Sequence, residues 1–492
     1  MTTSSLATDA YKFSMAQAGF PLRRETFYFS FRRGGVQFIP LDLENVIFDL
    51  VAGLTVDAAD LAFTRENGYG LSDAMEAALT GGPGGIEVQA VPPRTWVLER
   101  EPIFSITGPS FLVSWLEPML LWLNYPIQLA TAMLGPEDAP PGSFVATCAE
   151  HATIIERVAD DIGVSKPSIT IEEERYRDGV RAAVRELIAA AGTADRIFEV
   201  GMRSAVCTGQ HRIALEACKE EGVVQTSNVA LARELGLKPV GTMGHEHVQR
   251  WGSDLRAFEA MRDMRSSPPS YLLDTFDTMG SGIKAAVQVM RQREHPCSIR
   301  YDSGNKFIQY LHACELLQEA GLQPAHVLED SLDVAATVHF ESLREFTQWP
   351  AEKQLYGYGG SIVAGPMTNP LTRDRVSAVF KLTETGDQPR MKFGNERGLG
   401  KQSVPGRPVV WRRLRGQGPL GVIGQQGEPV PEDYVLLSGN PDAREQLRLC
   451  NVLELERAHA VPDAQRRNAH SPQTEALIAR VRESVDGMQE LP

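Results

Sequence analysis

KPVGTMGHEH, residues 238–247, is the stretch that decides how this chain folds. A short apolar run ends at Thr242 in small and polar residues, and a charged stretch follows. An apolar run of strand length, bounded by glycine, reads as a buried strand that opens into a loop. Five more runs share this form: Arg196 to Val200, Tyr271 to Thr275, Ser298 to Asp302, His326 to Asp330 and Gln354 to Tyr358. Helical stretches separate them. Strand–loop–helix units in series predict a parallel sheet, closed or open. Their uneven spacing predicts an irregular α/β barrel, with its chemistry at the C-terminal ends of the strands.

Outward from this series the rhythm changes. Thr26 to Phe31 (TFYFSF) has the composition of a strand, and Leu41 to Ala52 has helical spacing. Glu87 to Ile106 reads as two strands broken by Pro92-Pro93. LGPEDAPPGS, Leu134 to Ser143, is dense in proline and glycine and reads as a joint. Beyond Thr372 the series stops; Val376 to Thr383 reads as a strand, and glycine and basic residues then dominate from Arg390 to Arg415. The expected organisation is an N-terminal α/β domain over 1–142 and the barrel with its active site over 143–371. A C-terminal segment over 372–492 then returns to the N-terminal domain or forms a small extra unit.

A chain of 492 residues exceeds one ordinary core. Its net charge of -14 opposes nucleic acid and anionic lipid at long range. A site for anionic substrates must therefore be a basic island built against the global field. The six cysteines form no CxxC pair, which argues against a zinc ribbon or a disulfide scaffold and points to a reducing, cytoplasmic compartment. The first residues, MTTSSLATDAYKF, lack the basic start and apolar run of a secretory signal. The most apolar stretch, Phe111 to Leu123, carries Glu117 and Pro118 and reads as a buried helix too short to span a bilayer.

Candidate chemistry gathers where the runs end. Gly241 to His247 places His245 on a loop of small residues, where it can act as nucleophile or acid/base group. The alternative is a loop histidine with local hydrogen bonds only. Arg300-Tyr301-Asp302-Ser303-Gly304-Asn305 offers a guanidinium fork for anions, with Asp302 for ribose hydroxyls or a Mg²⁺ shell. Tyr356 to Ser361, with Gly359 and Gly360, suits a phosphate cradle of backbone amides. Asp274 and Asp277 end another run, and Arg203 ends the first. Each feature alone has a structural explanation: a salt bridge, a turn, a helix cap. Together they suit a doubly anionic, phosphate-bearing substrate.

The motifs TDAYKFSMAQ (8–17), FEVGMRSA (198–205), TSNVALARELGLKPVGTMGHE (226–246), DTFDTMGSG (274–282), RYDSGN (300–305), EDSLD (329–333) and YGYGGSIV (356–363) occur in this order. With them the chain resembles the nicotinate phosphoribosyltransferases and, secondarily, the related nicotinamide phosphoribosyltransferases. The resemblance implies an α/β fold of the type II phosphoribosyltransferase kind, an N-terminal α/β domain packed on an irregular, TIM-like α/β barrel. It implies formation of nicotinate mononucleotide and pyrophosphate from nicotinate and phosphoribosyl pyrophosphate, with ATP hydrolysis and Mg²⁺, in NAD salvage by a cytoplasmic homodimer.

By the same resemblance His245 is the histidine that ATP phosphorylates, and Arg300 and Asp302 face the substrate anions and the ribose. Tyr11 stacks on the pyridine ring, often from the partner subunit. Arg203 and Asp274 join the site, and Gly359 and Gly360 take the nucleotide phosphate. The chain departs from the commoner pattern at Gly244, where alanine is usual, and in Glu199-Val200-Gly201-Met202-Arg203. Where nicotinamide-using relatives carry aspartate, this chain has Ser227, whose hydroxyl can donate to a carboxylate. That favours nicotinate. A nicotinamide phosphoribosyltransferase and a catalytically silent nucleotide-binding homologue remain the alternatives.

Overall fold

The computed structural model describes residues 3–80, 85–135, 143–368, 371–393, 402–449 and 468–489. Most of the proline- and glycine-rich joint, residues 136–142, lies outside them, as do 394–401 of the basic stretch. In chain order the strands that position the site begin with β1 (Arg24–Phe31), β2 (Glu87–Ala90) and β3 (Phe104–Pro109). They continue with β4 (Ile197–Glu199), β5 (Gln225–Thr226), β6 (Lys238–Pro239), β7 (Ser270–Leu272) and β8 (Ser298–Tyr301). Then come β9 (Ala325–Leu328), β10 (Gln354–Tyr358), β11 (Ala378–Thr385) and β12 (Gln388–Pro389).

β4 to β10 form one parallel sheet in the order β6-β5-β4-β10-β9-β8-β7. All six expected runs are strands of it. The seventh, β5, is only two residues long and has no apolar run by which the sequence could announce it. Parallel pairing points every strand the same way, so the loops after them gather at one end. β6 and β7 are neighbours in the chain yet occupy opposite edges of the sheet. No backbone pairing joins them among the described residues. The edges meet through side chains instead: His245, beyond β6, lies 2.9 Å from Asp274, beyond β7. The sheet is therefore a curled, irregular α/β barrel.

The second sheet has the order β12-β11-β1-β3-β2. Its centre is aromatic: Phe27 stacks on Phe380 and Phe29 on Phe104, with ring centroids 5.1 and 4.9 Å apart. β1 is buried along nearly its whole length, because β11 and β3 flank it and apolar layers cover it. The pairing of β11 with β1 carries the chain from the barrel back across the N-terminal sheet. Pro408–Arg413, Gly421–Gln425, Tyr434–Leu436 and Ala469–His470 form a separate four-stranded sheet.

Two local expectations need correction. Between Glu87 and Pro109 there are three strands, Thr95–Val97 lying between β2 and β3. Phe111 to Leu123 is buried but forms two helices, Ser110–Trp115 and Glu117–Trp122. Pro118 lacks an N–H, so it suits the first turn of a new helix better than the middle of a long one. No helix among the described residues is long and apolar enough to cross a membrane.

Candidate active site at the barrel mouth

Helix α1 (Ala10–Ala18) supplies Tyr11, and the helix His245–Trp251 begins with His245 itself. The imidazole is held from two strand ends and from the returning C-terminal segment. Its Nε2 lies 2.9 Å from Asp274 Oδ1, 2.7 Å from Lys392 Nζ and 3.7 Å from Asp302 Oδ2. Burial pulls its pKa down to about 4, only partly opposed by Asp274, so the ring is neutral near pH 7. Asp274 is fully buried; burial works to raise its pKa, but His245 and Lys392 hold the carboxyl well below the usual range. Ser303 donates to its other oxygen.

Arg300 leaves β8 into a dense network. Nη1 donates to Thr242 Oγ1 at 2.8 Å and to the Met243 carbonyl at 2.9 Å, tying β8 to the loop that carries His245. Nη2 lies 2.5 Å from Asp302 Oδ1 and 2.9 Å from Glu329 Oε2. Burial works to lower the Arg300 pKa, but Glu329 and Asp302 push it up. Asp302 is driven down by Arg300 against the effect of burial. Removing one member of such a buried set strands the others without a counter-charge, at a cost of about 3–5 kcal/mol. The Nε of Arg300 has no hydrogen-bond partner within the protein.

A second cluster lies beside the first. Tyr11 donates to Glu117 Oε2 at 2.9 Å, and Lys12 Nζ bridges Glu117 and Glu246 at 2.6 and 3.0 Å. The Arg203 guanidinium sits 5.9 Å from the centre of the Tyr11 ring and 3.7 Å from Glu117. Tyr11 therefore reaches the cavity of its own chain. Two glycines allow this approach: a Cβ on Gly241 would lie 2.3 Å from the Tyr11 backbone nitrogen, and one on Gly244 3.1 Å from its ring. Ser227 is placed differently from expectation. It is buried, does not line the cavity, and donates to Asp9 Oδ1 at 2.6 Å, so its hydroxyl already serves a carboxylate of the protein.

Tyr11, Arg203, His245, Arg300, Asp302, Gly359 and Gly360 line one cavity of about 610 Å³. Asp274 stands behind His245. Eight arginines and lysines face six carboxylates in the lining, an excess of positive charge in a protein of net charge -14. Four of the cations, Arg32, Arg33, Arg373 and Lys381, lie in or beside β1 and β11. Burial lowers Lys381 to about 7, against the pull of Glu117. His245, Asp274 and Asp302 present ligand atoms within 4.8 Å of one another, a set able to hold a cation. Both carboxylates supply hard oxygen donors of the kind Mg²⁺ takes.

Lys392, Lys381, Glu329 and Glu117 were not singled out from the sequence. Lys392 and Lys381 arrive only because β11 returns to the N-terminal sheet, a long-range pairing with no local signal. Glu329 stood within a quoted motif but had no role assigned until its carboxylate met Arg300. His247 does not line the cavity; its Nε2 donates to the Ala257 carbonyl at 3.0 Å.

No family model matches the chain. The chain is 25% identical over 304 residues to the nicotinate phosphoribosyltransferase pncB2 of Mycobacterium tuberculosis, covering 61% of each. It is 24% identical over 371 residues to the human nicotinate phosphoribosyltransferase, covering 70% of this chain and 64% of that one. It thus spans less than two thirds of the length of either relative. The crystal structure of nicotinate phosphoribosyltransferase from Porphyromonas gingivalis superposes with a TM-score of 0.60 at 19% identity, covering 82% of this chain and 96% of that one, a likeness of fold. In sequence the chain is thus similar to nicotinate phosphoribosyltransferases, and its fold is that of the Porphyromonas gingivalis structure.

Proposed function

We propose that the chain is an ATP-coupled nicotinate phosphoribosyltransferase, acting in the salvage of pyridine for NAD. The observation that supports this best is the gathering of His245, Arg300, Asp302 and Lys392 in one cationic cavity at the ends of parallel strands, with Asp274 holding His245 from behind. The pyridine nitrogen gives its lone pair to the anomeric carbon of phosphoribosyl pyrophosphate. The bond from that carbon to oxygen breaks, and its electron pair leaves with pyrophosphate. An oxocarbenium-like state of this kind needs alignment and charge neutralisation more than a covalent partner.

Tyr11 and Arg203 would hold the pyridine ring and its carboxylate, with Gly244 leaving room for the ring. Arg300, fixed by Asp302 and Glu329, would face the substrate anions while Asp302 holds the ribose hydroxyls. Gly359, Gly360 and the cations on β1 and β11 would receive the phosphates. Mg²⁺, held by Asp302 and Asp274, would supply neutralisation of the pyrophosphate when bound. His245, neutral and therefore nucleophilic, would accept the phosphoryl group of ATP. Its Nε2 faces both a carboxylate and an ammonium, so Asp274 and Lys392 jointly set which ring nitrogen keeps the lone pair.

The preference for nicotinate rests on Arg203 beside Tyr11 and on the names of the relatives, since Ser227 is committed to Asp9. A homodimer is compatible with this site, and Tyr11 need not cross between subunits to complete it. Parallel assays with nicotinate and nicotinamide test the substrate: faster turnover of nicotinamide at equal concentration would contradict the reading.

A further inference from the structure

Outside the cavity two thiols face each other. Cys148 and Cys207 place their sulfurs 3.8 Å apart, both buried. The two residues are near-duplicates in backbone geometry, at φ -163°, ψ 174° and φ -163°, ψ 171°. Each immediately precedes a long helix, Ala149–Ile162 and Thr208–Glu220, and neither side chain caps it. Two positive helix ends are thus directed at one pair of sulfurs, an environment that favours thiolate. The helix ends are already tied: the Gly209 N–H donates to Glu150 Oε2 at 2.7 Å. Ala149, Glu150 and Thr208, which follow the two cysteines in the chain, are exposed, so the buried pair lies beside the surface.

We infer that Cys148 and Cys207 form an oxidative modification site, a dithiol that a hydroperoxide closes to a disulfide, and that closure acts on the Arg203 loop. Cys148 is the attacking sulfur. Its pKa is pulled down to about 7, chiefly by the hydrogen bond with Cys207, whereas Cys207 is pushed up by the same contact. Cys218, Cys297 and Cys314 are all raised by burial, so among the described cysteines the thiolate is concentrated at Cys148. The Cys148 thiolate forms an S–O bond as the O–O bond of the peroxide breaks, leaving a sulfenic acid and an alcohol or water. Cys207 gives up its proton and attacks that sulfur; the S–S bond forms and water departs. Two thiols lose two electrons and the peroxide gains them.

A disulfide needs its sulfurs at about 2.05 Å, so closure draws the two helix ends together. Cys207 ends the connection from β4 that carries Met202–Ser204, and with it Arg203. Pulling the end of that connection toward Cys148 displaces Arg203 from Tyr11 and weakens its hold on an anion. The disulfide itself stands apart from the functional reading; only its kinetic effect rests on it.

The test treats the full, reduced chain with hydrogen peroxide at neutral pH, then counts thiols and maps peptides by mass. The expected result is a loss of two thiols and a peptide joining residues 148 and 207, both reversed by dithiothreitol. Cys207→Ser should stop at a sulfenic acid on Cys148 that dimedone traps, and Cys148→Ser should form neither product. If a variant fails to fold, the wild-type map still decides. Another cysteine oxidising first, or Cys148 passing to sulfinic acid without the cross-link, would overturn the site. In the pyrophosphate-release assay the oxidised protein should show a several-fold higher KM for nicotinate, restored on reduction. A cross-linked protein with unchanged KM would overturn the coupling to Arg203 while leaving the disulfide. No turnover in the reduced protein would count against the phosphoribosyltransferase reading alone.

Discussion

The inner ring of the barrel mouth and its outer rim carry similar side chains but differ in how their charge is used. Inside, Arg300 is matched by Asp302 and Glu329, and His245 is fixed between Asp274 and Lys392. Outside, Arg32, Arg33, Arg373 and Lys381 give the cavity its positive excess. The inner ring is built for orientation, because each cation is immobilised by buried carboxylates. The rim is built for attraction, because its charge is offset less completely by neighbouring acids. The same residue types thus separate an orienting ring from an attracting rim.

The largest effect should come from breaking the inner ring. Arg300→Ala leaves Asp302 and Glu329 facing each other in a buried site, and should cost about 3–5 kcal/mol of stability in a denaturant titration as well as turnover. Arg300→Lys should not restore turnover, since a single ammonium cannot span Thr242, Met243, Asp302 and Glu329. A full-stability, active Arg300→Ala protein would erase the distinction between ring and rim.

His245→Ala should abolish protein-bound phosphate from labelled ATP and remove ATP stimulation, while ATP-independent pyrophosphate release persists. Lys392→Met sharpens the point by changing a pH profile. The His245 pKa is held at about 4, below its ordinary 6.5, and Lys392 is one cause. Between those values the folded protein binds fewer protons at this site than the unfolded chain, so its contribution to stability falls as pH is lowered through that window. Removing the ammonium should move the acid limb of histidine phosphorylation upward. An unmoved limb would reduce Lys392 to a packing role.

On the rim, Lys381→Met should raise the KM for phosphoribosyl pyrophosphate by about tenfold, the scale of one partly buried charge contact of about 1.4 kcal/mol. Lys381 loses its proton near pH 7 in the free protein, so wild-type affinity should weaken as pH rises through that value. The variant should lack this trend. The smallest effect belongs to Gly244→Ala. The new methyl would press on the Tyr11 ring from 3.1 Å, and the KM for nicotinate should rise a few-fold with kcat little changed.

The inner ring was largely legible in the sequence, and the rim was not. His245, Asp274, Arg300 and Asp302 each end an apolar run, and parallel strands bring such ends together whatever lies between them. Strand β5, at two residues, was too short to carry a hydrophobic pattern. Lys381 and Lys392 were hidden because their place depends on β11 pairing with β1 across more than three hundred residues of chain. Ser227 misled because its residue type suited a substrate carboxylate, whereas the nearest carboxylate in space is Asp9.

The most direct measurement is pyrophosphate release by the purified full chain with phosphoribosyl pyrophosphate and Mg²⁺, supplying nicotinate or nicotinamide, each with and without ATP. The account predicts release with nicotinate, stimulation by ATP and little release with nicotinamide. No pyrophosphate with either pyridine would contradict it.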